Sequence, residues 1–191
     1  MKTLYILDNI NSDSINLNTD VLKKEIKKYE EFSHSTKDSE YTDKTILLND
    51  TKISSCTGCF SCWLKTPGKC IFRDSMDDIL PELLESDLLI FAFPLKMGFL
   101  SGKIKILMDR LIPLLLPDFE IINNEFHHKK RYKKYPKIGV LAERESFTNQ
   151  EDISIIREFF ERFCLNFHSE IKFYRIINNE NKEVTDVINN I

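Results

Sequence analysis

Four of the five cysteines stand in one short window, Cys56-x2-Cys59-x2-Cys62-x7-Cys70, while Cys164 stands alone. Three thiolates spaced two residues apart can wrap three corners of a cubane iron–sulfur cluster. Four thiolates also suit tetrahedral zinc, although zinc sites more often use two separated pairs. The simplest reading is a turn of reduced, unliganded thiols with Trp63 packed over it, because cysteine is among the most buried residue types. A disulfide framework fits small secreted chains and not a chain of 191 residues. Cys164 falls on the apolar face of a helical pattern and is expected in the core.

A second candidate is the polar stretch 9–19, which leads from a strand pattern into a helical one. Free N–H groups at a helix start favour an anion, and Ser12, Ser14, Asn16, Asn18 and Thr19 could add side-chain donors. The competing reading is a turn that only caps the helix, and the stretch has no glycine to let the backbone close around a phosphate. The run from Glu125 to Lys134 is basic. It could meet the phosphates of a nucleotide, but a solvated loop or dimer contact is the expected outcome. His127 and His128 are adjacent and would point to opposite sides of a hairpin, a poor metal pair. His34 and His168 read as ordinary polar residues. No nucleophile elbow, metalloprotease helix or P-loop is present.

These residues must be positioned by alternating strands and helices. Lys2–Asp8, Lys44–Leu48, Leu88–Phe93, Lys137–Ala142 and Glu170–Ile177 read as five strands, the third apolar enough to be buried on both faces. Helical periodicity runs through Asp20–Phe32. It continues through Ile79–Leu84 behind a Ser75/Asp78 capping box, through the stripe Ile104, Leu107, Met108, Leu111, Ile112 behind Ser101, and through Ile153, Ile156, Phe160, Phe163 behind a Thr148/Glu151 capping box. Such alternation predicts an α/β fold, a parallel sheet covered on both faces. Residues 1–191 read as one domain with an insertion at about 113–136, where Asn123-Asn124 suggests a two-residue hairpin turn. The residues from Asn178 on read as a frayed tail.

Net charge is only −3, which argues against a nucleic-acid protein driven by bulk charge. An aromatic content of 11% with charges of both signs argues against disorder. The longest apolar runs fall short of a membrane span, and Met1–Leu7 reads as a strand and not as a secretory signal. A cytoplasmic protein is expected.

In an open parallel sheet, ligands sit beyond the carboxyl ends of the strands, which here means 9–19, Pro94–Leu100 and Ala142–Phe147. With the cysteine window, with Asp77-Asp78-Ile79, and with Pro94 and Ser101-Gly-Lys-Ile-Lys-Ile-Leu-Met-Asp-Arg110, the chain resembles the flavodoxin-like NAD(P)H-dependent FMN reductases. The likeness is to the cysteine-motif subgroup that overlaps the iron–sulfur flavoproteins. It implies a flavodoxin-like three-layer sandwich, a five-stranded parallel sheet of order 2-1-3-4-5, and FMN reduced by NAD(P)H. It also implies Cys70 as a fourth cluster ligand beside Cys56, Cys59 and Cys62, should a 4Fe-4S cluster be present. The phosphate would lie on Ser12, Ser14, Asn18 and Thr19, and the flavin ring against Pro94, Leu95, Lys96, Met97, Gly98, Phe99, Ala142 and Glu143. No catalytic side chain is named, because hydride transfer needs no protein acid or base.

The phosphate loop departs from the family's Gly-Ser-Pro-Arg: Asn11 and Ser14 replace the glycine and arginine, and Asp13 stands at the proline. Loss of a guanidinium and gain of a carboxylate predict weaker FMN affinity. Lys96 stands where the family's Pro-x-Tyr has its aromatic residue, so the flavin would lose that neighbour, and Lys96 could place positive charge by the pyrimidine side of the ring. The expected function is electron transfer from NAD(P)H through FMN to a small-molecule acceptor such as a quinone, nitro compound or flavin, in a homodimer. An iron–sulfur flavoprotein for electron transfer and a diverged fold without FMN are the alternatives.

Overall fold

The structure, a computed structural model, describes residues 2–8, 42–178 and 184–186. Its centre is a sheet in which β1 (Lys2–Leu7), β2 (Thr42–Leu47), β3 (Leu88–Pro94), β6 (Lys137–Arg144) and β7 (Ile171–Asn178) are parallel, in the order β2-β1-β3-β6-β7. That is the expected 2-1-3-4-5 order, with β6 and β7 as the fourth and fifth strands. The sheet then gains a sixth strand, β8 (Val184–Asp186), antiparallel to β7. The tail expected to fray from Asn178 therefore returns to the sheet edge, where unpaired backbone of β7 accepts it.

β3 is central and buried along its whole length. Leu89, Phe91 and Phe93 enter the larger apolar cluster, while Leu88, Ile90 and Ala92 enter a second cluster on the opposite face. The period-2 alternation of side chains is what lets one continuous apolar strand serve two layers. Four helices lie among the described residues: α1 (Ser61–Leu64), α2 (Met76–Glu85), α3 (Gly102–Asp109) and α4 (Gln150–Asn166). α4 buries Ile153, Ile156, Phe160 and Cys164 against the sheet, with Phe91 and Phe93 meeting Phe160 at 5.7 and 5.9 Å between ring centroids. Cys164 is thus core, as its helical position predicts. The helix expected over 20–32 lies outside the described residues.

Two helix starts differ from expectation. Ser75 is already helical and its hydroxyl accepts from Lys52 N–H at 3.0 Å, while the neighbouring Asp74 carboxylate accepts from Met76 N–H at 3.1 Å. At α4 the capping box is one residue later, Asn149 with Asp152, and Thr148 instead accepts from Glu145 N–H. In both cases an Asx side chain next to the expected Ser or Thr takes the capping role. Ser101 does cap α3, accepting from Ile104 N–H at 3.3 Å.

Between α3 and β6 the chain builds a separate hairpin of β4 (Leu115–Ile122) and β5 (Glu125–Lys130). Asn123 and Asn124 both have positive φ, 51° and 63°, the two-residue turn suited to the right-handed strand twist. Phe119, Ile121 and Phe126 are all exposed, Ile121 directly opposite Phe126 and Phe119 two residues before Ile121. They form an apolar stripe on one face. Among the described residues no helix is long and apolar enough to cross a membrane.

Candidate functional site

The carboxyl ends of β3 and β6 lie side by side, as a ligand site at the strand ends requires. Pro94 is in register with Glu143, and Leu95 N–H donates to the Glu143 carbonyl at 2.8 Å. Beyond this point Lys96 and Phe99 bond to each other, N–H to O at 2.7 and 3.0 Å, closing a tight turn through Met97 and Gly98. Both turn residues have positive φ, and Met97 stands 91% exposed at the tip. Gly98 is required twice over: its φ is +74°, and a Cβ there would fall 2.3 Å from Asp152 Oδ1 of the α4 capping box.

The expected ring-binding residues therefore divide. Leu95 is fully buried, Phe99 turns inward onto Phe159, and Pro94, Ala142 and Glu143 are buried at the strand ends. Lys96 and Met97 are the side chains that reach the surface. The Lys96 ammonium is ion-paired with Glu145, so the positive charge expected near a flavin is countered within the protein. The exposed Met97 and Phe147 flank this pair in the chain and offer apolar surface to a flat ring. At the end of β1, the Asp8 carboxylate is buried, with Oδ1 unpartnered among the described residues. The phosphate residues Ser12, Ser14, Asn18 and Thr19 lie outside the described residues.

The cysteine window is built by local turn chemistry. Gly58 and Phe60 take left-handed φ values of 64° and 56° on either side of Cys59, and α1 follows at once. Thr66-Pro67-Gly68-Lys69 then makes a turn, Gly68 at φ 82° and Lys69 N–H bonded to the Thr66 carbonyl at 2.8 Å, which brings Cys70 back toward Cys62. The base of the loop is pinned: Ser75 N–H donates to the Lys52 carbonyl and Ser54 N–H to the Asp74 carboxylate, at 3.0 and 2.9 Å. As a result all four cysteines line one pocket of about 130 Å³, open to solvent, with apolar walls that include Phe60, Trp63, Phe72, Ile112 and Pro113.

The thiols are unequal. The hydroxyl and backbone N–H of Ser61 hold the exposed Cys59 thiol below its ordinary value. Burial, helped by the neighbouring charges of Cys70, Cys56 and Cys59, pushes the Cys62 thiol up. Among the described residues, no three metal-ligating side chains converge on a single point. A mononuclear zinc site needs sulfurs roughly 2.3 Å from one ion, whereas a cubane takes each thiolate at a different iron and spreads the ligands.

Two charged residues at the end of α3, Asp109 and Arg110, line this otherwise apolar pocket, and Arg110 is the buried one. Arg110 is 1% exposed; its two terminal nitrogens bond to the Asp74 carboxylate at 2.7 and 3.1 Å, and one also donates to the Ser54 carbonyl at 2.6 Å. Its guanidinium lies over the Phe72 ring, 5.4 Å from the centroid. Burial works against the charge, but Asp74 and Cys70 more than offset it and raise the Arg110 pKa. Sequence reading placed Arg110 in a matching motif without a role and passed over Asp74. The available signal was an arginine three residues after Leu107 and next to Leu111, a charge on the apolar stripe.

The other candidates resolve into structural roles. His127 is buried with Nε2 3.2 Å from Glu125, and His128 faces the other way, its ring 4.4 Å from Phe119 and 4.9 Å from Trp63. His168 has a partner distant in sequence, the His128 carbonyl at 2.6 Å. In the basic run, Arg131 donates to the carbonyls of Pro113 and Leu115, and Lys134 pairs with Asp87.

Comparison of the coordinates with solved structures finds an azoreductase at a TM-score of 0.60 and 14% identity, covering 95% of this chain and 88% of that one. An FMN-dependent NADH-azoreductase from Bacillus anthracis in complex with FMN follows at 0.57 and 17%, covering 93% and 85%. An NAD(P)H:quinone oxidoreductase from Methanothermobacter marburgensis gives 0.55 and 14%, covering 93% and 83%. The fold is flavodoxin-like. In sequence, the chain is 41% identical over 69 residues to an iron–sulfur flavoprotein of Methanocaldococcus jannaschii, 36% of this chain and 35% of that protein. An iron–sulfur flavoprotein of Archaeoglobus fulgidus is 33% identical over 75 residues, 39% and 33% of the two chains. The chain thus matches about a third of the length of these curated relatives. No family model matches it. The neighbours in fold and the relatives in sequence fall in the two groups that the motif resemblance names.

Proposed function

We propose that this protein is an FMN-dependent oxidoreductase that passes electrons from NAD(P)H to a small acceptor such as a quinone, a nitro compound or a flavin, in the cytoplasm. The reading is carried by the joined ends of β3 and β6 in a flavodoxin-like sheet, the place where such folds take ligands. Bound FMN would supply the hydride and single-electron chemistry. The chain's own contribution is to bind and orient. Ser12, Ser14, Asn18 and Thr19 are assigned to the phosphate. Pro94 to Phe99, with Ala142 and Glu143, are assigned to the ring edge, where the rigid Lys96–Phe99 turn limits movement of the rim. Titration of the purified protein with FMN tests this, followed by flavin fluorescence. Binding that weakens on S12A/T19A supports the assignment, and binding unchanged by both substitutions removes it.

A second reading, an iron–sulfur flavoprotein, is favoured by the single pocket that gathers Cys56, Cys59, Cys62 and Cys70. The residues fit a cluster: four thiolate donors, apolar walls and the fixed positive charge of Arg110. Iron and labile sulfide measured in protein purified without air decide between this reading and plain thiols.

The homodimer is also a proposal. The exposed Phe119, Ile121 and Phe126 stripe on the hairpin is the surface assigned to a second copy. I121E/F126E should convert the dimer to a monomer in sedimentation; a wild-type monomer would refute the assignment.

A further inference from the structure

We propose that Arg110 is a positioning residue for the cysteine pocket, its buried Nε–H serving as hydrogen-bond donor to the sulfur of Cys70 and thereby raising the reduction potential of an iron–sulfur group held there. The inference rests on the second reading above.

Three observations on the same side chain carry it. First, three bonds from the terminal nitrogens to Asp74 and the Ser54 carbonyl fix the guanidinium plane. Second, Arg110 Nε is shielded from water and has no hydrogen-bond partner among the described residues. A buried donor left unpaired is costly, more so on a charged group. Third, Arg110 lines the pocket of the four cysteines and is coupled electrostatically to Cys70. The Cys70 sulfur, which already acts on Arg110 through a side-chain hydrogen bond, is the acceptor this arrangement offers once it carries a ligand's negative charge.

The consequence follows from charge. Reduction adds one electron to the group and breaks no bond, so the reduced form is the more negative. A hydrogen bond to a ligand sulfur stabilises that form and raises the potential. Asp74 acts in the opposite sense, because its carboxylate offsets the guanidinium.

The test uses full-length protein, reconstituted with ferrous iron and sulfide without air and titrated electrochemically while visible absorbance is followed. R110K keeps a cation opposite Asp74 but removes the Nε–H. It should hold the same iron as wild type with the one-electron equilibrium shifted at least tenfold toward the oxidised form, about 59 mV lower. D74N keeps the Nε–H and removes the opposing carboxylate, so its potential should rise. A general packing disturbance does not produce opposite signs. R110K with full iron and a wild-type potential overturns the inference while the cluster reading stands. Wild-type protein that takes up no iron and sulfide overturns both. If R110K does not fold, D74N decides, and a potential that is unmoved or lower refutes the role.

Discussion

Arg110 and Asp74 form a forked ion pair with only 1% and 7% of their side chains exposed, at 2.7 and 3.1 Å between partners. The same carboxylate accepts the N–H groups of Ser54 and Met76, so one residue starts α2, closes the cysteine loop and holds the cation at the end of α3.

Removing Asp74 should therefore cost more than a surface ion pair would. Asp74→Ala leaves the buried guanidinium without its counter-charge, a loss of about 3–5 kcal/mol. Urea unfolding should show a markedly lower midpoint, and an unchanged midpoint would contradict the burial described here.

The pair also predicts an acid limb of stability. Burial opposes ionisation of Asp74, but Arg110 and the two backbone N–H groups outweigh it and bring the carboxyl from its ordinary 3.8 to about 2. A depressed folded value means the stabilisation is fully present above the unfolded value. It is lost as pH falls from about 4 through about 2, and its size is about 2 kcal/mol. Asp74→Asn should flatten this part of the stability–pH curve.

At the strand-end rim, Gly98→Ala places a Cβ on Asp152 and forces alanine into a left-handed φ. The expected loss is about 1–3 kcal/mol, visible as a lower thermal midpoint. Because the clash falls on the α4 capping box, Gly98→Ala and Asp152→Ala together should cost less than the sum of the two.

Thiol labelling should separate the five cysteines. In reduced protein stripped of iron, Cys56, Cys59, Cys62 and Cys70 should alkylate in the folded state. Cys164 is buried with its thiol pushed up to about 12, and should label only after unfolding. Mass spectrometry of the labelled peptides checks this, and labelling of Cys164 in the folded state would contradict the core placement.

Trp63 is the protein's one tryptophan, lines the cysteine pocket and donates Nε1–H to the Leu115 carbonyl at 3.0 Å. Its fluorescence should fall as iron and sulfide enter the pocket and stay constant when a Cys62→Ser/Cys70→Ser variant is treated alike. Trp63→Phe should cost about 1 kcal/mol for the lost bond.

Much of the architecture was legible because it depends on local pattern. The unbroken apolar run Leu88–Phe93 could be buried only on two faces, and it forms the central strand. Asn123-Asn124 between short strands could turn only with positive φ, and it does. Helix starts were legible to within a residue but not to the atom. Asp74 and Asn149 stand one residue from the expected caps Ser75 and Thr148, and geometry decides which side chain meets a free N–H. The edge strand β8 was missed because its three residues carry no pattern of their own, and it exists only beside β7.

The sequence alone determined the α/β class and the presence of a four-cysteine window, since periodicity and spacing are properties of neighbours along the chain. The strand order followed only from the family resemblance. Only the tertiary structure decided that those cysteines share one pocket, that Glu145 neutralises Lys96, and that a buried arginine faces Cys70. These are meetings of residues far apart in the chain. They arise when loop closure brings distant residues together, and for Arg110 and Asp74 burial also leaves little water to screen the charges.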